Sequence, residues 1–290
     1  MSSRALPLLH RSLMTTCMAK LNGLAWAAGL SFEAHGVRIG VRLTDPSALD
    51  EIRACLPLGW KTRASPRVDH LVSLVVGDRE KHGTIRRLHL VYSGALRALR
   101  TAHWSEALDF LQYHLEEYVA QMAPAHVFVH AGVVAWKGRA MLVPGRSHSG
   151  KTSLVAALLA AGATYYSDEF AVLDAQGRVL PYLRPLRLRR GSDDRGAAVP
   201  PEALGARRGR QALPVQLVAA THYEAGRRWR PRRLSQGEAV LEMLAHTVPA
   251  RFRPREVLDV LGRVALRAEA FKGRRGEARD TAQALLSAME

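Results

Sequence analysis

Apolar and polar residues alternate along HGVRIGVRL (35–43) and again along RRLHLVYSG (86–94), the period of a strand with one buried face. Between them, VDHLVSLVVG (68–77) is a more continuous apolar run and predicts a buried strand. DPSALDEIRACLP (45–57) carries a helix start: Asp45 and Pro46 precede Leu49, Ile52 and Leu56 at helical spacing. WSEALDFLQYHLEEYVAQM (104–122) predicts an amphipathic helix with Ala107, Leu108, Leu111, Leu115, Tyr118, Val119 and Met122 on its apolar side.

From 126 the pattern changes. HVFVHAGVVAW (126–136) and GRAMLVPG (138–145) read as two apolar strands around a Lys137-Gly138 turn. KTSLVAALLAAGA (151–163) reads as a helix ended by Gly162. TYYSDEFAVLD (164–174) then reads as one strand, AQGR (175–178) as a turn and LPVQLVAATHY (213–223) as another strand. Residues 191–212, rich in Gly, Pro, Arg and Ala, predict a loop or lid. Helices are expected over 235–247 and 254–268 and in about the last 15 residues. There are no internal repeats. The shift near 125 divides the chain into an α+β region, 1–124, with acceptor recognition as its candidate role, and an α/β domain, 125–290.

Composition narrows the class. The chain of 290 residues is 48% hydrophobic and 23% charged, as expected of a folded protein with a real core. Arg4, His10, Arg11 and Lys20 precede LNGLAWAAGLSF, a faint likeness to a signal peptide, but the apolar run is short and interrupted. Residues 1–32 are therefore expected to be part of the fold or a loose tail, and no run approaches the ~20 apolar residues of a membrane span. Two cysteines, Cys17 and Cys55, suggest neither a disulfide scaffold nor a zinc site, so a cytoplasmic home is expected.

The formal charge is +16, and residues 178–233 hold fourteen arginines against four acids, a net +10. Such a surface suits phosphates, an acidic protein or nucleic acid, although a merely solvated arginine-rich surface is the plainer reading. Nucleic acid is disfavoured, because the chain lacks a helix-turn-helix, RNP-type aromatics and zinc spacing.

Gly145-Arg146-Ser147-His148-Ser149-Gly150-Lys151-Thr152 matches the P-loop pattern in full, between an apolar strand (140–143) and a helix (151–161). Glycines let backbone N–H groups face phosphates at a helix N-terminus, where the helix dipole favours anions. The candidate nucleotide-binding residues are therefore Gly145, Arg146, Ser147, His148, Ser149, Gly150, Lys151, Thr152 and Ser153. Lys151 would reach the phosphates and Thr152 would place a hydroxyl on Mg²⁺. The usual acid after four apolar residues is missing. Asp168 and Glu169 supply an alternative acid pair, flanked by Tyr165, Tyr166 and Phe170. His130 lies one strand before the loop, where a packed core histidine is the common alternative.

FVHAGVV, then VPGRSHSGKTSLVAALLAAGATYYSDEFAVLD, then GRVLPYLRPLRLR together resemble the catalytic domain of the HPr kinase/phosphorylase family. They are more similar still to the shorter HPr-kinase-related proteins of bacterial biosynthetic clusters, including some for lasso peptides. The likeness covers roughly 125–190 and extends weakly through LSQGEAVLEMLAHT. His130 matches the family histidine, with Ala131 before Gly132, and Glu169 replaces a second aspartate. No match to the phosphorylase signature is present. The resemblance implies an α/β P-loop kinase core of the HPr kinase/phosphoenolpyruvate carboxykinase type, using ATP and Mg²⁺ to phosphorylate a serine hydroxyl. It implies Asp168 as the base on the acceptor, His130 near the transferring phosphate, Lys151 on the phosphates, and Thr152 with Glu169 on the metal. The expected partner is a peptide or small protein offering that serine, with a homo-oligomer also within the family's habit. A kinase for a free amino acid or sugar, and a nucleotide-binding module without turnover, stay open.

Overall fold

A computed structural model describes residues 18–65, 67–78, 87–145, 149–188 and 197–290. Among the described residues no helix is long and apolar enough to cross a membrane. Cys17, Arg146, Ser147, His148 and most of the predicted signal-like segment's basic start lie outside the described residues, as do 189–196 of the arginine-rich stretch. The chain divides into two units, 1–124 and 125–290.

The first unit is one mixed sheet with helices. Strands β1 (Ala28–Ala34) and β2 (Val37–Leu43) form a hairpin. Its turn residues His35 and Gly36 both take positive φ, 49° and 84°, which matches strand twist. A crossover through the short helix Leu49–Ala54 returns the chain as β4 (His70–Val75), parallel to β2. β5 (His89–Ser93) and β6 (Leu96–Thr101) extend the sheet, and β3 (Lys61–Thr62) edges β1. Alternation puts Phe32, Ile39, Val41, Leu43, Val72, Leu74 and Val91 in the core. The helix Trp104–Met122 has the predicted bounds and buries Ala107, Leu111, Leu115 and Val119. Met122, in its last turn, is 43% exposed.

The second unit is built on a sheet ordered β11-β10-β7-β8-β14-β16-β15, in which β7 is Val127–Trp136 and β8 is Arg139–Pro144. The other members are β9 (Thr164–Ser167), β10 (Phe170–Leu173), β11 (Arg178–Leu180), β14 (Leu213–Tyr223), β15 (Arg232–Arg233) and β16 (Glu269–Arg275). β9 pairs with β7. β8, β14 and β16 run parallel, while β7 is antiparallel to β8 and β10. Period two sorts the side chains to two faces. Ala140, Leu142, Val218 and Ala270 pack with helices Gln236–Leu244 and Pro254–Arg267. Met141, Val143, Leu217 and Ala219 pack with helices Lys151–Ala160 and Ala278–Ser287. The helix Lys151–Ala160 follows β8 directly, and the helices Gln236–Leu244 and Pro254–Arg267 lie between β14 and β16.

Three features differ from the sequence expectations. The predicted single strand over 164–174 is two strands, broken at Asp168-Glu169, so the acids occupy a turn rather than a strand start. Within the predicted loop 191–212, Ala197–Val199 form strand β13, which pairs antiparallel with β12 (Leu186–Leu188), where Leu186 is buried. β16 joins the sheet between β14 and β15 although EAFKGRR carries little apolar signal.

Candidate active site

The carboxyl end of β8 runs into Gly145, and Gly150 starts the helix Lys151–Ala160. That helix is apolar nearly all round, burying Leu154, Val155, Leu158 and Leu159, because sheet and helix cover it from both sides. Gly132 of β7 lets it approach: a Cβ there would lie 2.5 Å from Val155 Cγ2. Gly150 has φ 81°, the left-handed conformation that turns the loop into the helix.

Four sequence candidates converge at the helix's amino end. Lys151 is only 8% exposed and donates from Nζ to the Gly145 carbonyl at 2.7 Å. Burial holds its ammonium below the usual lysine range, against the opposing charges of Glu169 and Asp168. Asp168 is buried. Burial, then repulsion from Glu169, push its carboxyl up to about 6, against hydrogen bonds from the Thr152 hydroxyl, Tyr165 and the Arg187 backbone N–H. Glu169 moves the other way. Desolvation raises it, but a hydrogen bond with His130 and the charges of His130, Lys151 and Arg184 together hold it below the ordinary glutamate range.

His130 completes the cluster from β7. Its Nδ1 lies 3.6 Å from Glu169 Oε1, and its ring packs on Phe170 at 4.6 Å. Its carbonyl accepts from the Gly145 N–H at 3.1 Å, so the same residue touches both the acid pair and the start of the loop. The structure thus pairs Thr152 with Asp168, and His130 with Glu169. Thr152 and Glu169, the metal pair implied by the resemblance, are not the direct partners. Ser149 has a buried hydroxyl oxygen with no hydrogen-bond partner, and Ser153 is exposed.

Two neighbours complete the surroundings: Tyr165, which the sequence places beside the acid pair, and Arg275, which carried no sequence signal. Tyr165 donates to the Arg184 carbonyl at 2.6 Å and lies 3.4 Å from Asp168 Oδ1; burial and the Asp168 charge hold its phenol well above the usual range. Arg275 comes from the far end of the chain and is 2% exposed. It donates to the Gly150 carbonyl at 2.8 Å and to the Gly276 carbonyl at 2.9 Å. An arginine between Arg274 and Gly276 in a weakly apolar segment offers nothing for pattern reading to detect. Many other arginines of the basic stretch pair with surface acids, as Arg208 does with Glu202 and Arg232 with Glu238.

A cleft of about 650 Å³ opens beside the loop, at the carboxyl ends of β8, β14 and β16. That is where parallel sheets generally bind ligands. The donor set fits a phosphate-bound magnesium ion. One hydroxyl and one or two carboxylates lie next to a buried ammonium, and Mg²⁺ typically takes few protein oxygens and completes its shell with phosphates and water. Among the described residues no group of three or more His, Cys, Asp or Glu is placed to hold a metal ion. The buried, unpartnered Ser149 hydroxyl is a further polar group for which an oxyanion is a suitable partner. Comparison with protein-family models and with curated proteins returns no match.

Proposed function

We propose that residues 125–290 form a P-loop phosphotransferase core of the HPr kinase/phosphoenolpyruvate carboxykinase type. It moves a phosphoryl group from ATP to a serine hydroxyl of a peptide or small protein. The observation that carries the reading is the convergence at one helix N-terminus of a buried lysine, a hydroxyl and two carboxylates. Their environments drive the carboxylates apart, Asp168 up to about 6 and Glu169 down. Such a split between neighbouring acids marks an acid–base site.

In this reading the helix N-terminus and Lys151 hold the nucleotide phosphates. Magnesium, when bound, would neutralise charge on the transferring group, and Thr152 and Glu169 would hold it. Asp168 stays largely ionised at neutral pH yet remains a competent proton acceptor, because its pKa lies near the working range. As the acceptor oxygen bonds to the γ-phosphorus, its proton passes to Asp168. The bond to the β–γ bridging oxygen breaks and ADP leaves. Lys151 offsets charge on the phosphates, and His130 orients Glu169 across their 3.6 Å contact.

One observation favours a variant of this scheme. The Thr152 hydroxyl bonds Asp168 rather than Glu169. Asp168 with Thr152 would then hold the cation, and the Glu169–His130 pair would receive the proton.

The test is phosphate transfer from Mg-ATP to a panel of serine peptides and free serine, followed by mass spectrometry. Transfer to peptides is expected. Asp168→Asn should lower it by ~100- to 10,000-fold with ATP binding kept, the usual contribution of a positioned base. Lys151→Met should abolish ATP binding while leaving the circular dichroism unchanged. If Asp168→Asn is instead rescued by excess Mn²⁺ while Glu169→Gln is not, the variant scheme holds. Wild-type protein that neither binds ATP by calorimetry nor labels any acceptor refutes the proposal, and transfer to free serine alone moves the acceptor to small molecules.

A further inference from the structure

The cleft lies on the opposite flank of the loop from the acid pair. Along this edge of the sheet the order runs from β10 and β7, which bring Glu169 and His130, through β8 and its loop, to β14 and β16. The two flanks also use opposite sheet faces. His130 has the parity of Gly132 and Val134, on the side of the helix Lys151–Ala160. Ala220, His222, Lys272 and Arg274 have the parity of Val218 and Ala270, on the side of the helix Gln236–Leu244. A ligand with its charged end on the loop can therefore extend one way towards the acids or the other way into the cleft.

Charge distinguishes what each flank suits. The cleft is bordered by three cations, but each is paired. Lys272 meets Glu242, Arg232 meets Glu238 at 2.8 Å, and Arg274 meets Glu224 at 2.6 Å. Paired charges at a rim attract an anion weakly, so the cleft does not suit phosphates or an acidic peptide. Its wall is otherwise formed by Pro144, Ala220, Thr221, Gly273 and two imidazoles, His222 and His246. A volume of about 650 Å³ falls within the range of small-ligand pockets, which are mostly apolar with a few polar groups. The buried Ser149 hydroxyl sits where the loop meets this cleft, with no protein partner.

We infer that this cleft is the nucleoside subsite: the base and ribose of the nucleotide lie over the ends of β14 and β16, its phosphates lie on the loop, and the acceptor enters from the acid-pair flank. The inference rests on the phosphotransferase reading and adds which way the nucleotide points.

Calorimetry on the full chain with Mg-ATP and with Mg-tripolyphosphate tests it, because tripolyphosphate has no nucleoside. Wild-type protein should bind both, ATP more tightly. Ala220→Leu, which adds bulk to the cleft wall, should weaken ATP by about tenfold or more, the size of a small misfit in a pocket. Tripolyphosphate affinity should be unchanged, which also shows that the variant is folded. Equal loss for both ligands, or no loss for ATP, overturns the inference. Wild-type protein that binds neither overturns the phosphotransferase reading and this one with it. Photolabelling wild-type protein with 8-azido-ATP needs no variant. Label should fall on peptides containing 220–222, 242–246 or 272–274; label confined to 165–188 places the base on the acid flank and refutes the assignment.

Discussion

Gly132→Ala should loosen the helix Lys151–Ala160 without touching any charged group. The added Cβ would stand 2.5 Å from Val155 Cγ2, closer than carbon atoms tolerate, and 4.0 Å from Lys151 Cβ. Val155 cannot turn away, because a β-branched side chain in a helix has essentially one χ1 rotamer. The helix must move instead. Overpacking of a tight core costs about 1–3 kcal/mol, and replacing glycine returns about 0.4–1 kcal/mol through the unfolded chain. The net loss is about 1.3 kcal/mol at the middle of those ranges, or roughly 3–5 °C in Tm for a unit of this size. Val155→Ala alone removes two buried methyl groups and costs about 2 kcal/mol. In the double variant the clash disappears, so the two losses should fall short of additive by about 1 kcal/mol, as measured by chemical denaturation. ATP binding should weaken in Gly132→Ala and recover in the double variant, because the same helix carries Lys151. Strict additivity, or a single variant as stable as wild type, would refute the claim that Gly132 sets the helix position.

Acidification should weaken the first unit through His70, which burial and then the charge of His114 hold down at about 4. Above pH 6.5 the imidazole is neutral folded and unfolded; between about 6.5 and 4 the unfolded chain takes the proton more readily, so stability falls as pH drops through that window. Denaturation across that window should show the slope in wild type and a shallower one in His70→Phe, which keeps the stacking on Tyr118 at 4.1 Å; identical slopes would remove His70 as the cause. Arg275→Met should remove the side-chain donor from the Gly276 carbonyl and leave the Gly150 carbonyl with the Leu154 N–H at 3.2 Å, so the cost should be that of one lost partner set, about 1–3 kcal/mol in all. Because Gly150 turns the loop, KM for ATP should rise more than kcat falls, and Arg275→Lys should recover part of both; a Tm loss with unchanged KM would make Arg275 structural only.

Local chemistry alone made several elements legible. The helix Trp104–Met122 could be read because one side of it is apolar at helical spacing, and the pair β7–β8 because two apolar runs flank a Lys-Gly turn. The strand–glycine loop–helix segment, and the acids just beyond it, are visible because close spacing along the chain keeps them close in space. The mixed α/β class follows from the same periodicities.

Tertiary structure decided the rest. β16 is inserted between β14 and β15 although only Ala270 and Phe271 in it are apolar. Its carboxyl end borders a cleft and clamps Gly150, so polar residues replace the pattern that would announce a strand. The acid pair falls at a break between β9 and β10 because each strand takes a different stretch of β7 as partner, a pairing between segments about 35 residues apart. Which acid meets Thr152 and which meets His130 depends on how that turn faces a helix N-terminus and a strand edge. Spacing can name candidate residues. Only the packing of distant segments sets the burial and charge that separate Asp168 from Glu169, because desolvation and Coulomb interactions depend on neighbours in space rather than in sequence.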